Sequence, residues 1–68
     1  MKYVVVVEKS ENGFAAYAPE LPGCAVVAET RDEGLELIRE AVALHLESLR
    51  EEGSPIPDPV TTTEYVQV

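Results

Sequence analysis

The chain has 68 residues, with 13 acidic against 5 basic side chains and a formal net charge of -8. A chain this short hides only about 60% of the surface its unfolded form exposes, so the core is marginal and self-association is the expected support. A single cysteine and a single histidine exclude a disulfide framework and a Cys/His zinc centre, and the acidic excess argues against a nucleic-acid surface, which needs clustered Lys and Arg.

Lys2-Tyr3-Val4-Val5-Val6-Val7-Glu8 is rich in β-branched residues on both alternating faces, which predicts a first strand over about 2–8 covered on each side. Its apolar stretch is too short for a signal peptide or a bilayer span, so a soluble, cytoplasmic protein without membrane contact is expected. Asn12-Gly13 is a pair that tolerates positive φ, so a tight hairpin should lead into a second strand over about 14–18. Pro19 and Pro22 fix φ and remove backbone donors, while Gly23 suits a type II turn. The connection should be rigid, and a third strand should resume over about 24–29.

Thr30 followed three residues later by Glu33 forms a capping box, and Asp32 and Glu33 complement the positive end of a helix dipole. The helix is expected over about 31–52, with Leu35, Ile38, Val42, His45 or Leu46, and Leu49 turned to the sheet. Leu37, Ala41 and Leu44 make a second apolar line beside it. That stripe is wider than one small sheet needs, so these three are candidates for an oligomer interface. Gly53 suits the left-handed residue after a helix, and Pro55 blocks continuation. Val60 to Val68 is rich in Thr, Tyr and Val and predicts a fourth strand, at an edge.

The elements give a single domain over 1–68 of the α+β class, in the order β-β-β-α-β, with a small antiparallel-rich sheet and one helix packed on one face. No residue set for catalysis, metal or cofactor emerges. His45 sits between two leucines without an adjacent nucleophile, so a packed histidine is expected rather than a general base. Cys24 has no basic neighbour to lower its pKa and reads as a small buried hydrophobe. The four glycines are isolated, so no phosphate loop exists.

Pro19-Glu20-Leu21-Pro22-Gly23-Cys24, its spacing to Thr30-Arg31-Asp32-Glu33, the run Ile38-Arg39-Glu40-Ala41 and the exit Glu51-Glu52-Gly53-Ser54-Pro55-Ile56-Pro57 together resemble the HicB-like antitoxins. The resemblance implies a degenerate ribonuclease-H-like fold and a domain that neutralises a small basic, mRNA-cleaving, HicA-like toxin by steric blockade. It implies contacts from Glu20 and Leu21 in the loop. The acidic helix face of Glu36, Glu40 and Glu47 is a further candidate for partner binding, set against an ordinary solvated face. A ribonuclease-H-type metal site needs a carboxylate in the middle of the first strand, where this chain has only valines, so no enzymatic activity and no cofactor are expected. Longer relatives carry a C-terminal DNA-binding segment. Here the residues after the helix lack basic side chains, so direct nucleic-acid binding is not expected. The alternative is a non-catalytic oligomeric scaffold or ligand-binding relative with no toxin.

Overall fold

The computed structural model describes residues 1–68 and arranges them as β1 (Val6–Ser10), β2 (Gly13–Tyr17), β3 (Ala25–Ala28) and α1 (Arg31–Glu52). The α+β class, the antiparallel sheet and the single helix agree with the sequence. The strands lie in the order β1-β2-β3, each antiparallel to its neighbour.

Register sets the two faces of the sheet. Val7, Ala16 and Val26 stand opposite one another across the three strands, so they share one face, while Val6, Tyr17 and Ala25 share the other. The helix lies on the first face. Ala16, Ala18, Leu21, Cys24, Ile38 and Leu46 form the buried cluster, with Val5, Val7, Val26, Ala41, Val42, Leu49 and Ile56 packed around it. Small residues on the sheet let the helix approach closely: a Cβ added at buried Gly34 would meet Ala28 Cβ at 3.7 Å.

Both connections are tight. The hairpin between β1 and β2 turns through Glu11 and Asn12 with negative φ at each, contrary to the positive φ expected at Asn12. Glycine is needed at Gly13 for another reason. A Cβ there would run into the Ala28 carbonyl oxygen, so the turn depends on space beside β3 rather than on handedness. Between β2 and β3, Leu21 N–H donates to Ala18 O at 3.1 Å and Cys24 N–H donates to Leu21 O at 3.0 Å. These are two successive β-turns, each with proline at its second position. Gly23 has φ 83° at the third position of the latter, as a type II turn requires.

The helix ends follow their chemistry. Thr30 Oγ1 accepts from Glu33 N–H at 3.1 Å, and Glu33 Oε1 accepts from Glu29 N–H at 2.8 Å, one residue beyond the usual capping-box partner. Gly53 takes φ 72°. Its N–H donates to Arg50 O at 3.1 Å and that of Ser54 donates to Leu49 O at 2.9 Å, the pair of bonds that closes a Schellman motif.

Three expectations are corrected. The first strand begins at Val6 rather than Lys2, because its partner β2 runs into Pro19, which brings no N–H to extend the ladder. It is covered on one face only, since the single helix packs on one side; Val27 on the other face remains 79% exposed. No fourth strand forms over 60–68. Strand propensity needs a partner edge, and the root of this segment is held elsewhere: Val60 N–H and Thr61 N–H donate to Glu20 Oε2 at 2.8 and 3.2 Å. The exit is steadied further by the Tyr3 hydroxyl, which donates to Pro57 O.

Candidate functional site

Helical spacing separates the side chains of α1 into a covered and an open side. Glu36, Glu40 and Glu47 are at positions i, i+4 and i+11, which places them within about 40° of one another around the axis and opposite the buried Ile38. All three are exposed. They form one line of carboxylates along the solvent side, roughly 16 Å from first to last at 1.5 Å rise per residue. Like charges at i and i+4 cost a few tenths of a kcal/mol, ~0.2–0.5, in an isolated helix, so the line does not serve helix stability.

An apolar margin runs beside that line. Leu44 is 65% exposed, while Leu37 and Ala41 are half-buried, and Ala41 also packs against the core. Of the three candidates for an oligomer interface, Leu44 is open to solvent, Leu37 is half-buried, and Ala41 is shared between the helix–sheet contact and the groove beside Leu44. Leu44 also lines a shallow groove with Cys24, Ala25, His45, Ser48 and Leu49, between the helix and the edge of β3. His45 is half-buried within this groove.

The Pro19–Cys24 connection turns inward. Leu21 is 1% exposed and among the largest fully buried side chains, so the expectation of an exposed contact residue there is corrected. The two prolines and Gly23 fold the connection back over the end of the sheet and leave the leucine no route to solvent. Glu20 is half-buried. One carboxylate oxygen accepts both backbone bonds from the C-terminal segment, while Oε1 is buried without a hydrogen-bond partner. That role was missed in the sequence because its partners lie 40 and 41 residues away.

Cys24 is buried, and desolvation raises its thiol pKa above the ordinary 9.0. The thiolate, which is the nucleophile and metal ligand, is disfavoured there. No three or more His, Cys, Asp or Glu side chains come together as could hold a metal ion, and no helix is long and apolar enough to cross a membrane.

Comparison with known proteins adds to this geometry. The family described as HicB_like antitoxin of bacterial toxin-antitoxin system matches residues 3–68. The chain is 40% identical over 58 residues to a UPF0150 protein of Thermoplasma acidophilum, covering 84% of each. It is 32% identical over 69 residues to Antitoxin HicB 2 of Photorhabdus laumondii, with all of this chain but only 50% of that protein aligned. A chain of the solved HicA3 and HicB3 toxin-antitoxin complex superposes with a TM-score of 0.72 at 33% identity, covering 88% of this chain and 70% of that one.

Proposed function

This chain belongs to the HicB-like antitoxin family of bacterial toxin–antitoxin systems, and from that premise we propose that it binds and neutralises a small basic, mRNA-cleaving, HicA-like toxin by steric blockade. The observation that carries the reading is the line Glu36, Glu40 and Glu47 with Leu44 exposed beside it. A toxin that grips RNA presents a cationic surface to phosphates, and a row of carboxylates offers that surface a competing anionic array. Leu44, and Leu37 behind it, supply apolar area to exclude water at the contact. Glu20 and Leu21 act indirectly, by holding the connection and the exit segment in place.

The blockade requires no chemistry from this chain. Binding alone suffices if the covered toxin surface is the one that takes RNA, and the antitoxin makes no DNA contact of its own, with a charge of -8 opposing it. Co-expression with a small basic protein encoded beside it, where one exists, tests the reading. Growth arrest by that protein should be relieved by this chain, and the two should copurify. Replacing Glu36, Glu40 and Glu47 together by Gln should slow association at least tenfold and flatten its dependence on salt, with the fold intact by circular dichroism. Arrest that persists, with no complex in pull-down, would favour a scaffold role without a toxin.

A further inference from the structure

We propose that residues Thr62 to Val68 are the missing fourth strand of a second copy's sheet, exchanged reciprocally so that each chain lays this segment along the outer edge of its partner's β1. The segment carries a strand pattern with nothing to pair with. Thr, Tyr and Val dominate it, and Tyr65, Val66 and Val68 are 105%, 82% and 117% exposed. Such β-forming residues held wholly in solvent leave both side chains and backbone groups unpartnered. No backbone or side-chain hydrogen bond engages 62–68.

The chain cannot close this strand upon itself in the arrangement observed. At Pro57 it lies beside Tyr3, next to the start of β1. By Val60 and Thr61 it has crossed the end of the sheet and is bonded to Glu20, in the connection between β2 and β3. It has therefore passed its own β1 edge before its strand-forming residues begin. A second copy meets no such obstacle, and a reciprocal exchange closes as a two-fold dimer.

The receiving edge is prepared on that side. The sheet is open at β1, and between this edge and the helix runs an open groove of about 510 Å³ lined by Tyr3, Val5, Leu35, Val42 and Leu46, with Arg39 its one charged member. Alternation along an added strand puts Thr62, Glu64, Val66 and Val68 on one face. That face matches the groove in kind: valines for the apolar lining and Glu64 for Arg39. The strand would cover the groove and pair the edge at once, a form of β-strand addition.

Proline scanning in the full chain tests the exchange, because 62–68 contributes no hydrogen bond to the subunit that bears it. Of two adjacent residues in an added strand, one must point its N–H into the ladder, so the double substitution Thr63→Pro with Glu64→Pro removes a pairing bond in either register. Light scattering should show a dimer for the natural chain, and the double variant should raise the dissociation constant at least tenfold with unchanged helix content. Amide hydrogen exchange should show 62–68 protected in the dimer. Glu64→Arg should weaken the dimer severalfold and Arg39→Glu in the same chain should restore it. A natural chain that stays monomeric at 100 μM or above, a dimer indifferent to both prolines, or a charge exchange that fails to restore pairing each overturns the proposal.

Discussion

Replacing Gly34 by Ala should stabilise the protein, although Gly34 is buried under the sheet. The residue is the first whose N–H enters the helical ladder, donating to Thr30 O at 3.0 Å, so it carries the full backbone-entropy cost of glycine in a helix, about 1 kcal/mol relative to Ala. Steric space decides the sign. The added Cβ would stand 3.7 Å from Ala28 Cβ, with no other atom of the sheet within 4 Å, which is ordinary van der Waals contact. The new methyl is withdrawn from water and contributes up to about 0.8 kcal/mol more. A gain of about 1–1.5 kcal/mol corresponds to a rise of very roughly 4–12 °C in melting temperature for a domain of this size. Urea unfolding followed by helix ellipticity measures it, with the slope of the transition unchanged. A lower midpoint would show that the helix cannot tolerate even a methyl at its crossing with β3, and that the packing argument is wrong.

The opposite sign is expected at Gly13, where alanine must displace the Ala28 backbone; Gly13→Ala should cost about 1–3 kcal/mol of stability, read as a lower urea midpoint. Ile38→Ala removes a side chain that is 1% exposed from the centre of the core, and a loss of about 2–5 kcal/mol should leave much of the chain unfolded at room temperature by circular dichroism. Glu20→Ala should free the exit segment, seen as loss of hydrogen-exchange protection at the amides of Val60 and Thr61, at about 1 kcal/mol in overall stability; unchanged protection at both would refute the clamp. Burial raises the Cys24 thiol pKa above its ordinary 9.0, so the native state holds that proton where the unfolded chain releases it. The resulting contribution is present below about pH 9 and lost as pH rises above it. Stability should therefore fall on the alkaline side by more in the natural chain than in Cys24→Ala, which urea titrations between pH 7 and 10 would resolve.

Local chemistry made much of this protein legible in its sequence. Thr30 with Glu33, and Gly53 before Pro55, define the helix ends because caps are satisfied by residues a few positions away. Pro22-Gly23 names its turn type for the same reason, and Cys24, without basic neighbours, reads correctly as core. What the sequence left open depends on residues far apart in the chain. Leu21 looks like a loop tip until two successive turns fold it inward. Glu20 looks like a surface acid until its carboxylate meets the amides of Val60 and Thr61. Gly13 is required by the Ala28 carbonyl on another strand rather than by its own hairpin. Val60 to Val68 has the composition of a strand, yet a strand exists only where an edge accepts its hydrogen bonds. Propensity is a property of the segment and pairing a property of the assembled fold, so only the tertiary structure could show that this segment finds no edge within its own subunit.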